Sequence, residues 1–329
     1  MKKIVSVSLL IILSLTSCAQ RKQKNNFSPD MDINAILEND PYIDQLQKYD
    51  YEPEYVIKIR SHYAYEIRVN DMPAANNFST STGTIWYPIN DNILKKGKQS
   101  LSIHIYPRYT DDETQKTHLE DPSDYDFELW IEQSAWVNGS KEEPKTVLQY
   151  EIPKIDENGN EIDFYQLRSH HEELTFNATV PYILTGWSDS KVFKKKDSVE
   201  LEKRVVEFYK NYRQLMVDKK PLKLEILGFK QAYEMAQSTY TDKDKLFEDR
   251  KKYINDFAKE KFIMARLENH KMIYYGDNRV VGLVFKNNPD KGESAIAKKF
   301  LNESGQRRIT YYSLLLHQPK GSDSLEIIR

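Results

Sequence analysis

The sequence predicts a mixed β and α+β protein: an N-terminal antiparallel β-sandwich, then a C-terminal α+β domain whose helices precede a curved antiparallel sheet. Three observations predict it. From Tyr55 to about Leu184, apolar and polar residues alternate with a period of two, as in strands with one buried face. From Leu201 through Phe257, apolar residues recur at helical spacing. After Lys261 the period of two returns, and helices followed by strands make an α+β domain.

The elements follow in chain order. The chain opens MKKIVSVSLLIILSLTSCAQ. Lys2 and Lys3 flank an uncharged apolar run, Ile4 to Leu15. A bilayer span needs about 20 apolar residues, so this run is too short to cross. Its length and basic flank suit a secretory signal. The ending LTSC, residues 15–18, resembles the lipobox of bacterial lipoproteins and holds the chain's one cysteine, Cys18. The resemblance implies cleavage before Cys18, diacylglycerol on its sulfur and acylation of the new amine. Several acyl chains hold a protein on a membrane without a transmembrane helix. No aspartate follows Cys18, so the inner-membrane retention signal of that family is missing. No acidic run follows either, unlike lipoproteins exported to the cell surface. The implied address is the outer membrane, facing the periplasm. Arg21, Lys22 and Lys24 read as part of a solvated tether.

Residues 19 to about 52 hold one short helical segment, with Ile33, Ile36 and Leu37 before Pro41 and Ile43 and Leu46 after it. It is expected to pack on the first domain. YVIKIR (55–60), YEIRV (65–69), SLSIHIYP (100–107) and FELWI (127–131) alternate cleanly, and TVLQYEI and ELTFNATVPYIL add further strands. Turn pairs fall between them at Asn70-Asp71, Lys96-Gly97, Asn138-Gly139 and Asn158-Gly159. Short strands separated by such turns predict a sandwich. The stretch IRVNDMPA…GTIWYPINDNILKKGKQSLSIHIYP resembles the galactose-binding-like or jelly-roll modules of many secreted enzymes. The matching pieces are Val69-Asn70-Asp71 and Leu94 to Leu101, with Asp71 and Gln99 standing where those modules carry Gly and Asn. The turn chemistry is structural, so the resemblance speaks to fold.

The charged segment KVFKKKDSVE reads as a linker. Asp197 with Glu200 resembles a capping box, followed by Leu201, Val205, Phe208, Tyr209, Tyr212, Leu215 and Met216 at helical spacing. Pro221 opens a second helical stretch through about Ser238, and Thr241 with Asp244 opens a third. FIMARL, KMIYY, RVVGLVF, RITYYSLLLH and SLEIIR close the chain as strands. This order of elements resembles the cone-shaped nuclear-transport-factor-like and cystatin-like folds. The expected organisation is a signal peptide at 1–17, tether and short helix at 18–52, sandwich at 53–190 and α+β domain at 191–329.

Composition limits the function. With 48 basic and 50 acidic residues the net charge is −2, without the basic excess of a nucleic-acid binder. Once Cys18 is lipidated no thiol remains for a disulfide, a metal or a nucleophile. Eleven glycines are too few for repeat arrays, and no phosphate-loop motif occurs. His170-His171-Glu172-Glu173 lacks the spacing of a metallohydrolase helix, and neighbours on a strand point to opposite faces. Asp121, Asp124 and Asp126, and the run Asp156, Asn158, Asn160, offer oxygens but not an EF-hand loop. Gly186-Trp187-Ser188-Asp189-Ser190 misses the nucleophile elbow at its last position. No catalytic residue, metal or cofactor is assigned.

The aromatic residues are the candidate binding groups. Trp86, Tyr87, Trp130, Trp136 and Trp187 lie in the first domain, and Tyr274, Tyr275, Tyr311, Tyr312 and His317 lie on strands of the second. Exposed aromatics anchor protein partners or stack on sugars. The expectation is a lipid-anchored periplasmic binding protein without catalytic activity. Its partner is an envelope or secreted protein, as for immunity or secretion-accessory lipoproteins. A glycan ligand is the alternative, and a hydrolase with an unrecognised site is a further one.

Overall fold

The structure is a computed structural model that describes residues 32–80, 83–120 and 127–329. Cys18, the signal segment, Arg21, Lys22, Lys24, Asp121, Asp124 and Asp126 lie outside the described residues. After the short helix α1 (Ile33–Glu38) come β1 (Tyr51–Ser61), β2 (Ala64–Val69), β3 (Met72–Asn77), β4 (Gly83–Pro88) and β5 (Gly97–Tyr106). Next are β6 (Phe127–Val137), β7 (Ser140–Lys141), β8 (Lys145–Glu151) and β9 (His170–Ala178). They form two antiparallel sheets, β4-β1-β6 with β7 and β8 on β6, and β3-β2-β5-β9. Their inner faces share one core, in which Tyr55, Ile57 and Ile59 of β1 meet Ile67, Val69, Ile103 and Ile105 of the second sheet. The period-two pattern thus becomes a sandwich by burying every second side chain.

Turn chemistry sets the register. Asn70 and Asp71 both take positive φ, as do Asn138 and Gly139, the conformation of tight two-residue hairpins. The departures from the jelly-roll pattern have specific work. The Asp71 carboxylate accepts from Arg68 Nη1 at 2.9 Å and from the Asp277 amide at 2.8 Å. Gln99 is buried, accepts from Asn70 Nδ2 at 2.8 Å and donates to the carbonyls of Lys95 and Gly97.

The second half begins with α2 (Ser198–Val217), α3 (Pro221–Leu227), α4 (Phe229–Ser238) and α5 (Lys243–Lys259). The stretch expected as one helix from Pro221 breaks at Gly228, which ends α3 and precedes α4. Asp197 precedes α2 but makes no side-chain cap. The chain reaches it through a 3₁₀ turn, Lys195–Asp197, so Asp197 lacks the extended backbone that a cap needs. The cap of α5 falls one residue after the expected Thr241, on Asp242, which accepts from the Lys245 amide at 2.8 Å.

The strands β10 (Ile263–Met264), β11 (His270–Tyr275), β12 (Val280–Phe285), β13 (Ala297–Leu301), β14 (Arg307–Tyr311), β15 (Leu315–His317) and β16 (Glu326–Ile327) make two sheets, β11-β12-β15-β16 and β10-β13-β14. The run RITYYSLLLH splits between them, and β13 lies outside every expected strand. Helix α2 packs against both sheets. At its centre, buried Tyr209 donates to the Leu314 carbonyl and accepts from the Leu283 amide.

Residues Ile33–Arg329 form one compact unit with two main cores that divide near residue 190. Helix α1 contacts α3 and α5 rather than the sandwich it was expected to cover. The cause is ionic: Asp40, just after α1, is buried against Arg250 of α5 at 2.7 Å. Helix α4 meets the sandwich end, where buried Asn90 accepts from the Tyr55 amide and donates to the carbonyls of Pro53 and Ser238. A third small core of Met72, Trp187, Tyr275, Val280, Leu315 and Ile328 fills the seam between the halves. Among the described residues no helix is long and apolar enough to cross a membrane.

Candidate functional site

Two surfaces collect the aromatic candidates. The first is the outer face of the β4-β1-β6-β8 sheet. Lys58 of β1 is the register partner of Trp86 on one side and Trp130 on the other. Neighbouring strands lie about 4.8 Å apart, so the backbones that carry the two indoles are about 10 Å apart across Lys58. Trp86 lies on an edge strand and is 65% exposed, while Trp130 is half-buried beneath the Arg60 guanidinium, 5.7 Å from its ring centre. Lys58 pairs with Glu132 at 2.7 Å, Arg60 with Glu128, and Lys141 with Glu54 at 2.8 Å. Trp136 is 39% exposed at the end of β6, with the Lys141 ammonium 5.5 Å from its ring. The face carries three tryptophans, and Lys58, Arg60 and Lys141 are matched by carboxylates of the same sheet.

The second surface is a cleft of ≈ 290 Å³ between the sandwich and the second half. Phe78 and Tyr87 come from one side and Ile273, Tyr275, Leu283 and Tyr311 from the other. Burial, then the charge of Glu293, raises the Tyr87 hydroxyl above its ordinary pKa. Burial, then the bond to Asp290, raises that of Tyr311.

The remaining candidates separate for one reason, the alternation of side chains along a strand. Tyr275 faces the seam and cleft while its neighbour Tyr274 packs on the core of the second half. Tyr311 lines the cleft while Tyr312 turns to that core, its ring 5.6 Å from the Lys298 ammonium. The four tyrosines therefore divide between cleft and core, and His317 lies apart from both, against Ser190. Trp187 is 5% exposed in the seam, which removes it from the set of surface anchors.

Alternation also splits the two histidines. His171 lies against His104, ring centres 4.1 Å apart and tilted by 31°, whereas His170 meets the Tyr150 hydroxyl at 2.8 Å. Burial lowers the pKa of His104, and the neighbouring His171 lowers it further. In the Asp156 turn, the carboxylate accepts from the amides of Asn158 and Asn160, and the turn is closed by its own hydrogen bonds.

A pair that sequence spacing hides is Ser190 and His317. Ser190 Oγ lies 2.7 Å from His317 Nδ1 across 127 residues, and both are buried. Among the described residues, Nε2 of His317 has no hydrogen-bond partner, and no carboxylate orients the ring as in a hydrolase triad. The pair ties the segment after the sandwich to β15. Burial, then the charge of Lys230, lowers the His317 pKa from 6.5 to about 4. The unfolded chain therefore binds a proton at a pH where the folded protein does not. Stability from this group is whole above about pH 6.5 and falls as the pH drops toward 4, by up to about 3 kcal/mol. Urea midpoints across that range are expected to fall less steeply for His317→Asn than for the wild type. Equal slopes would remove His317 as the cause.

No protein-family model, curated protein or solved structure matches the chain.

Proposed function

We propose that this chain is a non-catalytic binding protein that recognises an envelope or secreted protein through the outer face of the β4-β1-β6-β8 sheet. The proposal places it at the outer membrane, facing the periplasm, held by lipid on Cys18. The observation that carries the binding reading is the row Trp86, Lys58, Trp130. A soluble surface has no folding use for an indole that is 65% exposed, and Trp with neighbouring Arg is the composition of binding hot spots. The face offers large contact area at small entropic cost, with polar groups already paired around it. A glycan is the second reading, favoured by two indoles whose backbones lie about two strand spacings apart, which suits stacking along successive sugars.

The test compares the full chain with Trp86→Ala/Trp130→Ala. Envelope and secreted fractions are passed over each protein, and the partner is then titrated in pure form. The expected result is one stoichiometric protein bound by the wild type and weakened at least about 30-fold by the double variant. A glycan retained with the same tryptophan dependence establishes the second reading. A ligand bound equally by both proteins overturns the assignment of this face.

A further inference from the structure

We propose that the cleft between the two halves binds an organic cation, an ammonium or guanidinium group on a short apolar stem, with Glu293 as its counter-charge. Among the described charged residues that line the cleft, Glu293 alone is half-buried with neither an ion pair nor a side-chain hydrogen bond. Glu66 is paired with Arg68 at 2.6 Å. Asp290 accepts from the Tyr311 hydroxyl. Lys291 Nζ donates to Tyr109 Oη at 3.1 Å and Gln115 Oε1 at 3.2 Å, and lies over the Phe78 ring. Lys271 is exposed at the rim. It is the register partner of Val284, which bridges Ser294, so two strand spacings, about 10 Å, separate its backbone from the Glu293 turn. The half-buried Glu293 carboxylate has neither a hydrogen bond nor an ion pair with any described residue, and burial, then the charge of Asp290, raises its pKa.

The turn that carries Glu293 is firmly built. The Glu293 amide donates to the Asp290 carbonyl at 3.1 Å, and the Glu293 carbonyl accepts from the Phe285 amide at 2.9 Å. Gly292 has φ +84°, and a Cβ there would stand 2.7 Å from Phe78 Cδ2, so the turn is fitted against an aromatic wall. A partly desolvated carboxylate without a partner is costly, and a cation that enters the cleft removes that cost. Tyr87 and Tyr311 line the cleft as well, and aromatic rings attract cations. The volume is at the small end for ligand pockets, which begin at about 300 Å³. This suits a stem of a few carbons and excludes a large ring system. Two sources supply the chemistry, a free amine or a lysine or arginine side chain of a docked protein.

The test is titration of the full chain with n-hexylammonium, agmatine and N-acetyl-lysine methylamide. Hexanoate and hexanol serve as controls, and binding is followed by calorimetry and methyl NMR. The expected result is 1:1 binding of a cation with Kd about 1 mM or tighter, no binding of hexanoate, and shifts at Ile273, Leu283 and Val284. Glu293→Gln is expected to weaken the cation at least tenfold without lowering the melting temperature. Tighter binding of the free amines points to a small metabolite, and tighter binding of the lysine derivative points to a protein side chain. Equal binding of hexanol, shifts confined to other methyls, or an unchanged affinity in Glu293→Gln overturns the proposal. If that variant does not fold, the wild-type contrast between hexylammonium and hexanol still decides. No protein partner is needed, so failure here is separate from failure of the sheet-face reading.

Discussion

Arg250→Ala is expected to lower the unfolding free energy by about 3–5 kcal/mol, the cost of leaving buried charges without their partner. Arg250 of α5 is buried and donates from Nη1 to Asp40 at 2.7 Å and from Nε to Glu225 at 2.8 Å. Its guanidinium also lies 4.8 Å from the Phe229 ring centre. One side chain thus joins the end of α1, α3 and the start of α4. Removing it leaves two carboxylates in a low-dielectric interior. Burial already raises the Glu225 pKa, and Arg250 partly offsets that rise. In the variant the offset is gone and the folded pKa lies further above the unfolded one. Such a group destabilises the fold at neutral pH and ceases to do so as the pH falls through its raised pKa. Urea unfolding of both proteins at about pH 7 and about pH 5 checks this. The difference between them is expected to shrink at the lower pH, and the His317 contribution cancels because both chains carry it. A difference independent of pH would place the loss in packing rather than charge.

Trp187→Ala is expected to cost a similar amount, about 3–5 kcal/mol, as a large buried side chain leaves a cavity. The indole fills the seam against Met72, Tyr275, Val280 and Leu315. Gly276 makes room for it: φ is +57° there, and a Cβ would stand 2.7 Å from Trp187 Cδ1. The backbone on that side is held by the Gly276 amide donating to the Asp71 carbonyl at 2.9 Å. The seam is where the halves meet, so the variant is expected to unfold in two separated steps. Partner binding by the Trp86 face is expected to be unchanged once the protein is folded. A Trp187→Ala protein with wild-type stability and lost binding would return this residue to the surface set.

The candidate sites were legible in part. The alternation of YVIKIR already puts Lys58 and Arg60 on the face opposite Ile57 and Ile59. Trp130 is likewise assigned to the outer face by FELWI. That Trp86 and Trp130 flank the same lysine depends on β4 and β6 both pairing with β1, a choice of partners that local pattern does not encode. Glu293 carried no signal at all. It sits in an irregular turn, and its standing comes from what fails to lie beside it.

The sequence by itself determined the periods, the turns and the order of elements. Each rests on neighbours a few residues apart: alternate burial along β5 and positive φ at Asn70 and Asp71. Only the tertiary structure decided how distant groups meet. It buried Trp187 in the seam, joined Ser190 to His317, and drew α1 away from the sandwich to Arg250. It also decided that Tyr87 and Tyr311 share a cleft. The physical reason is range. Backbone conformation and amphipathic period are set by contacts within a turn or a strand. Ion pairing, seam packing and cleft formation depend on which surfaces the whole chain brings together.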